Sequence, residues 1–354
     1  MANKHLILKS LLLFALTFSG GLLAETVKLA PDHPDRYVVI KGDTLWDIAA
    51  RFLQDPWQWP EIWYVNPGIE NPHLIYPGDI IKLEFENGKP VLKLERPGPG
   101  PAMQTVKLSP TARISTLDTA VPTIPLDAIG QFLKYPRVVT ERELENSPYL
   151  IASLEDHLVN GTDAKIYARG IVDEGVTQYQ IVRRGQVYHN PANPKEVLGY
   201  EAINVGHARV VRGGDPATLL ITEADREVLI GDRLLPAIDD EINHHFTPHA
   251  PGAAIDGHIL SVMDGLGRIG QFQVVAIDKG ARDGLEVGHV LAVYQTGGVV
   301  RDRIGSRKLG GASVKLPDER AGTLMVIRPF DRISYALVME AARDLRILDK
   351  VTTP

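Results

Sequence analysis

The stretch YVVIKGDTLWDIAARF, Tyr37–Phe52, constrains the fold of this chain more than any other. A short apolar run that suits a strand leads directly into a Gly-Asp pair, which favours a tight turn. Thr44 and, three residues later, Asp47 form a capping-box pattern that marks the start of a helix. We therefore expect a strand, a turn and an amphipathic helix in immediate succession. The apolar residues of that helix recur along one face, at Leu45, Ile48, Ala49 and Phe52.

A second helix and a closing strand complete this unit. In WQWPEIWYVN, Pro60 suits the first turn of a helix. The stretch NPHLIYPGDIIKLEF turns at Pro77–Gly78 and continues as an apolar strand. The predicted unit, residues 36–86, is therefore a small α+β (βααβ) domain in which the two strands can pair and the helices can cover one face.

These residues resemble the LysM domain family, which comprises small modules that bind peptidoglycan and chitin. The resemblance extends from Tyr37 to Leu83 and departs from the family at QDPWQWPEIWY, which lengthens the turn between the helices. In the family, glycan lies in a shallow groove between the first strand–helix turn and the loop before the last strand. The resemblance implies a groove floor formed by Gly42, Asp43, Thr44 and Leu45. It implies an opposite wall formed by Asn71, Pro72, Leu74 and Ile75.

The chemistry of such a groove suits an N-acetylglucosamine polymer, which repeats amide and methyl groups along a ribbon. Backbone donors and acceptors can bind the amides, and Leu and Ile side chains can cover the methyl groups. We expect the site to be weak and polyvalent, because a shallow groove buries little area. Among the four tryptophans, we assign Trp46 and Trp63 to the core. Trp57 and Trp59 remain open between a core position and a platform for sugar rings.

The N-terminus has the pattern of a secretory signal peptide. A basic start with Lys4 and Lys9 precedes an apolar run, Leu11–Phe18. That run is shorter than the roughly 20 apolar residues a membrane span needs. We therefore expect residues 1–24 to be a cleaved signal peptide, and the mature chain to lie in the periplasm, associated with peptidoglycan and the outer membrane. No second run of spanning length follows, so we do not expect an integral membrane protein.

Composition excludes several classes of function. The chain contains no cysteine, which excludes disulfides, thiol nucleophiles, Cys metal sites and a lipid-modified N-terminal Cys. The formal net charge of −6 does not favour nucleic acid as a partner. A chain of this length without disulfides must be stabilised by the cores of its own domains, and two or three domains are expected.

The remainder of the chain has a different pattern. ERPGPGPAMQ begins a Pro/Gly-rich linker, predicted at residues 95–125. Short β-type runs separated by Gly, Asn and Asp turns then dominate, and only ITEADREVL and EAARDLRIL look helical. We predict a mostly-β, duplicated region with halves at residues 148–246 and 252–354. Six matched pairs support the duplication: Gly206 with Gly322, Arg212 with Arg328, Asp215 with Asp331, Glu223 with Glu340, Arg226 with Arg343, and Asp232 with Asp349.

The order of these parts resembles the family of type IV pilus secretin-associated proteins. That family combines a signal peptide, one LysM domain and a C-terminal region like that of the flagellar assembly protein FlgT. The stretches that carry the resemblance are PTIPLDAIGQFL, FTPHAPGAAIDGHI, VVAIDKGARDGLEVGHVLAVY and PDERAGTLMVIRPFDRISYALV. It implies a non-catalytic protein that links the outer-membrane secretin ring of the pilus to the cell wall.

The sequence offers little support for an enzyme. The stretch EINHHFTPHAP contains a dense group of candidate metal ligands, but Pro248 and Pro251 would break a helix there, and we interpret it as a solvated hinge loop. We expect no catalytic residues, no metal and no cofactor. Two alternatives stay open: a cell-wall hydrolase targeted by its LysM module, and an anchor for a flagellar basal-body ring. The candidate ligands of the hinge are Glu241, His244, His245 and His249.

Overall fold

A computed structural model of the chain consists mainly of antiparallel strands. No helix within its described ranges is long and apolar enough to cross a membrane. The predicted signal peptide, most of the predicted linker, and Glu241, His244 and His245 lie outside those ranges. The structure describes residues 27–64, 75–96, 121–124, 137–154, 159–173, 175–237, 246–263, 268–302, 304 and 312–354.

The N-terminal unit contains the predicted strands and helices together with two further strands, a short one after the second helix and one that forms a hairpin with the closing strand. Its four-stranded sheet has the order β1-β3-β4-β2, in which β2 and β4 run parallel and the other pairs antiparallel. Asn87 and Gly88, both with positive φ, form the tight turn between β3 and β4. The elements are β1 (Arg36–Val38), α1 (Leu45–Phe52), a 3₁₀ turn (Pro56–Gln58), α2 (Trp59–Ile62), β2 (Trp63–Tyr64), β3 (Ile80–Glu86) and β4 (Lys89–Glu95).

The second part is built on a seven-stranded antiparallel sheet with the order β10-β7-β6-β11-β8-β9-β5. Strand β10 also pairs with β9, so six of these strands close into a ring and β5 pairs on its outside. The elements are β5 (Arg137–Val139), α3 (Glu141–Asn146), β6 (Tyr149–Ser153), β7 (Lys165–Arg169), β8 (Gln178–Asn190), β9 (Asn193–Arg212), β10 (Ala217–Ala224) and β11 (Arg233–Pro236).

The third part is a closed antiparallel barrel with the order β12-β13-β18-β17-β14-β19. Strands β15 and β16 form a separate two-stranded hairpin that is largely exposed. The elements are β12 (Asp256–Val262), β13 (Val274–Ile277), β14 (Val290–Gln295), β15 (Val299–Asp302), β16 (Ala312–Lys315), β17 (Glu319–Pro329), β18 (Ser334–Ala341) and β19 (Lys350–Thr352). The predicted mostly-β character of the C-terminal region is thus confirmed.

The two rings share one strand order. When the six ring strands of each are numbered along the chain, both rings read 1-2-5-4-3-6. The bend after the fifth strand also matches, since two successive amides there donate to a single carbonyl on the fourth strand. In the first ring that carbonyl belongs to Val205, and in the second to Ala321. In both rings an aspartate then caps the turn before the last strand: Asp232 Oδ2 accepts from the Leu229 amide and Asp349 Oδ2 from the Arg346 amide, each at 2.8 Å.

The two stretches that look helical in sequence are therefore not helices. In ITEADREVL, strand β10 continues to Ala224, and the chain then bends at Asp225 and Arg226. In EAARDLRIL, β18 ends at Ala341 and a corresponding bend follows. Pairing with the neighbouring strand overrides the weak local preference for a helix in both places.

The three parts pack against one another through a shared apolar cluster. Trp46 and Trp57 of the N-terminal unit are buried in it beside residues of the second ring. The long β8–β9 hairpin contributes Tyr188 and Leu198, which brings the first ring into the same cluster. An ion pair between Asp55 and Arg320, 3.2 Å apart, also joins the N-terminal unit to β17. Residues 121–124, which lie within the predicted linker, belong to this packed assembly, because Ile124 is fully buried in the cluster.

The burial of Trp57 predicts a stability effect. Trp57→Ala should lower the free energy of unfolding by about 3 kcal/mol, because it leaves a cavity in the shared cluster. Chemical denaturation followed by circular dichroism measures the change. Phe85→Ala is the control, since its ring is 62% exposed and its loss should change stability by less than about 0.5 kcal/mol. Equal effects of the two substitutions would contradict the packing of Trp57.

The charges of the two capping aspartates should have opposite effects on the free energy of unfolding. Asp232 is paired with the Arg183 guanidinium at 2.7 and 2.8 Å. Burial raises the pKa of Asp349, so ionising this carboxyl costs stability as the pH rises from the unfolded pKa through the folded one. Asp232→Asn should therefore destabilise the protein by about 2 kcal/mol at neutral pH, since it weakens a charge-assisted pair.

At pH 7, Asp349→Asn should leave the free energy of unfolding nearly unchanged or raise it. Between pH 7 and pH 4 it should also remove the gain in the free energy of unfolding that comes from protonating Asp349. Denaturation midpoints of both variants at pH 4 and pH 7 provide the measurement. A loss at pH 7 as large as that of Asp232→Asn would show that the Asp349 carboxylate is not a source of electrostatic strain.

Candidate functional site

Two backbone turns lie side by side at the start of helix α1. One is the turn between β1 and α1, and the other precedes β3. The Val39 amide donates to the Asp79 carbonyl at 2.9 Å, and the Gly78 amide donates to the Val39 carbonyl at 2.8 Å. Gly42 and Gly78 have φ of +99° and +97°, which favours glycine at both positions. These bonds fix the distance between the two turns.

Asp43 fixes the first turn to strand β1. Its Oδ2 accepts hydrogen bonds from the Tyr37 hydroxyl at 2.9 Å and from the Ile40 amide at 3.0 Å. The Arg51 guanidinium lies over the Tyr37 ring, 4.4 Å from its centroid. Burial raises the pKa of Tyr37, and the hydrogen bond to Asp43 raises it further. The contacts of this carboxylate are thus made to its own turn and strand.

Thr44 caps helix α1 as the sequence predicts. Its Oγ1 accepts from the Asp47 amide at 3.1 Å, and Asp47 Oδ2 accepts from the Thr44 amide at 3.3 Å. The first amides of a helix have no partner within the helix, and this box satisfies those of Thr44 and Asp47. The amides of Leu45 and Trp46 therefore need acceptors from elsewhere.

Residues 121–124 supply those acceptors. The Leu45 amide donates to the Pro122 carbonyl at 2.9 Å, and the Trp46 amide donates to the Thr123 carbonyl at 3.3 Å. On the opposite side, the Val121 amide donates to the Ile75 carbonyl at 2.7 Å. The segment from Val121 to Ile124 thus lies between the two turns and binds both of them through backbone groups.

The predicted site residues divide into two groups in the structure. Gly42, Asp43, Thr44, Leu45 and Ile75 all lie at the two turns, whereas Asn71, Pro72 and Leu74 lie outside the described residues. The Leu45 and Ile75 side chains are buried in the core of the N-terminal unit. Their assignment to glycan contact remains a prediction.

Sequence reasoning missed the segment at 121–124, which was placed within the linker. A signal for it exists in VPTIP: the two prolines favour an extended backbone, and Val121 and Ile124 are apolar. Val121 is buried in the core of the N-terminal unit, and Ile124 in the cluster shared with the second ring. An extended segment with apolar residues on both sides is suited to lie between two packed bodies.

The tryptophans pack inside the protein. Trp46, Trp57 and Trp59 are buried, and Trp63 is half-buried with its ring 5.9 Å edge-on from that of Trp59. For the two residues left open by the sequence, Trp57 and Trp59, burial favours the core position over a solvent-facing sugar platform.

His249, the described residue of the predicted hinge group, lies beside Glu286 and His289. The two imidazole centroids are 4.5 Å apart, and their candidate ligand atoms lie within 4.8 Å of one another and of the Glu286 carboxylate. Burial lowers the pKa of His289, and His249 lowers it further. The Glu286 amide donates to His289 Nδ1 at 3.0 Å, so the neutral ring carries its proton on Nε2. Neither ring nitrogen of His289 then offers a free lone pair to a metal ion while that hydrogen bond is kept.

Comparison with known proteins identifies the N-terminal unit. Residues 37–84 match the model of the LysM domain family. They form a LysM domain. The match includes both turns and indicates binding of peptidoglycan or a related carbohydrate.

Two similar proteins from Bacillus subtilis strain 168 share a short region with this chain. The uncharacterized protein YqbP is 42% identical over 71 residues, which cover 17% of this chain and 32% of YqbP. SpoIVD-associated factor A is 41% identical over 71 residues, which cover 20% of this chain and 17% of that protein. The chain thus spans about a third or less of the length of these relatives, and the similarity does not define the activity of the whole protein.

The capping box predicts a local effect at the groove. Thr44→Ala should destabilise the first turn of α1 by about 1 kcal/mol, which corresponds to roughly fivefold faster amide exchange in Leu45–Phe52. Hydrogen exchange with mass spectrometry measures it. Thr140→Ala removes the same kind of box from helix α3 and is the matched control, because it should leave the exchange of α1 unchanged. Unaltered exchange of α1 in the Thr44 variant would rule out this role for its hydroxyl.

Proposed function

We propose that this chain is a non-catalytic, periplasmic peptidoglycan-binding protein that anchors an envelope machine to the cell wall. The observation that carries the proposal is the LysM domain at residues 37–84. Its two turns hold backbone donors and acceptors that suit the repeated acetamido groups of an N-acetylglucosamine glycan. The groove is small, so several copies of the protein acting together would provide firm attachment to the wall.

The proposed protein partner is the outer-membrane secretin ring of the type IV pilus. The resemblance of the C-terminal stretches to secretin-associated proteins motivates this choice. The common strand order of the two rings and their matching bends and caps support an origin by duplication. Two similar surfaces on one chain suit a partner that repeats its own subunits, because paired contacts raise the effective concentration. A flagellar basal-body ring is the alternative partner.

A catalytic role is the less favoured proposal. The chain has no cysteine, and among the described residues the group of His249, Glu286 and His289 uses a ring nitrogen to accept a backbone hydrogen bond. A binding module joined to two closed, apolar-cored rings suits a scaffold better than a cell-wall hydrolase.

Sedimentation with insoluble peptidoglycan tests the wall-binding role. The mature chain, residues 25–354, should pellet with purified sacculi and should release no soluble muropeptides. A shape-matched insoluble polymer without N-acetyl groups, cellulose, is the control for nonspecific adsorption. Recovery of the folded chain in the supernatant at all sacculus concentrations would remove the basis of the proposed function, and release of muropeptides would favour the hydrolase.

In-cell cross-linking with mass spectrometry tests the identity of the protein partner. Links should join lysines of the two rings, such as Lys165, Lys279 and Lys350, to subunits of the pilus secretin. Links to flagellar ring proteins instead would select the alternative partner, and links confined to abundant outer-membrane proteins would contradict both.

A further inference from the structure

We propose that residues Val121–Ile124 act as an intramolecular ligand of the LysM groove, so that the segment and glycan bind in competition. This inference rests on the proposed glycan-binding function of the LysM domain. It adds that the groove is closed in the free protein and that glycan must displace a segment of the chain itself.

The segment binds backbone groups of both turns. The segment occupies the Leu45 and Trp46 amides on the floor of the groove and the Ile75 carbonyl on its wall, at 2.9, 3.3 and 2.7 Å. These groups belong to the two turns between which LysM glycan is expected to lie. A peptide carbonyl and an acetamido carbonyl are chemically alike as acceptors, and the peptide and acetamido N–H groups are alike as donors. Each amide has a single proton to donate, so the Leu45 and Trp46 amides cannot serve both ligands at once.

The segment is buried between the two turns. Val121, Thr123 and Ile124 are 5%, 1% and 0% exposed, so the segment fills the space between the turns. Leu45 and Ile75, the side chains predicted to cover glycan methyl groups, are 3% and 0% exposed while the segment is in place. Val121 belongs to the same apolar core as these two side chains, so a sugar that contacts them at the segment's position has to displace Val121.

The segment packs against both the LysM domain and the second ring. Val121 belongs to the core of the LysM domain, whereas Ile124 belongs to the cluster of Trp46, Trp57 and the second ring. Release of the segment therefore also loosens the packing of the LysM domain on that ring. Occupancy of the groove and docking of the domain are coupled through these four residues.

The test compares glycan binding by the full mature chain with that of a variant in which Val121–Ile124 is replaced by Gly-Ser-Gly-Ser. A soluble N-acetylglucosamine hexamer is the probe, and isothermal titration calorimetry gives the dissociation constants. The variant should bind at least about tenfold more tightly, because the apparent affinity of the native chain is reduced by the small fraction of open groove. A chain with Val172→Asp and Val299→Asp, two exposed apolar positions, is the control and should bind as the native chain does.

Hydrogen exchange on the unaltered chain provides a second measurement that does not depend on the folding of a variant. Saturating hexamer should accelerate exchange of the peptide containing Val121, while the Leu45 and Trp46 amides remain protected by the sugar. Equal affinity of native chain and variant, or a segment that stays protected when the hexamer binds, overturns the competition and leaves the wall-binding function intact. Failure of both chains to bind either hexamer or sacculi overturns the proposed function, and the competition with it.

Discussion

The arrangement of this protein depends on two amides at the start of helix α1. A helix leaves its first amides unbonded, and an unbonded amide that is buried costs free energy. Thr44 satisfies the Asp47 amide, so those of Leu45 and Trp46 must find acceptors from outside the helix. The carbonyls of Pro122 and Thr123 meet that need and bring a distant segment to the LysM domain. Because Ile124 follows directly, the same contact also joins the domain to the second ring.

The sequence predicted this domain well where the signals are local. The capping box, the apolar face of α1 and the glycine turns are short-range patterns, and each is present in the structure. Strand β4, the burial of Trp57 and the position of Val121–Ile124 could not be predicted in this way. Each depends on which distant part of the chain lies opposite, and periodicity within a window carries no such information.

The two rings show the same limit of prediction from local sequence patterns. Matched residues such as Asp232 and Asp349 indicated a repeat, and both do cap equivalent turns. The ring order could not be read from sequence, because it depends on pairing between strands far apart along the chain. Equivalent geometry also does not imply equivalent energetics: Asp232 is neutralised by Arg183, whereas burial raises the pKa of Asp349.

Under the proposed function, the groove binds glycan through backbone groups and would gain little selectivity from its side chains. The Asp43 carboxylate contacts Tyr37 and Ile40 within its own turn, and the Thr44 hydroxyl caps the helix. What distinguishes one ligand from another is then the space between the turns and the competition for their amides and carbonyls. In the proposed competition, the tethered segment is present at a high effective concentration, so a glycan displaces it only at a high local concentration, which an intact wall provides. Access to the groove, more than its intrinsic affinity, would then govern when such a protein attaches.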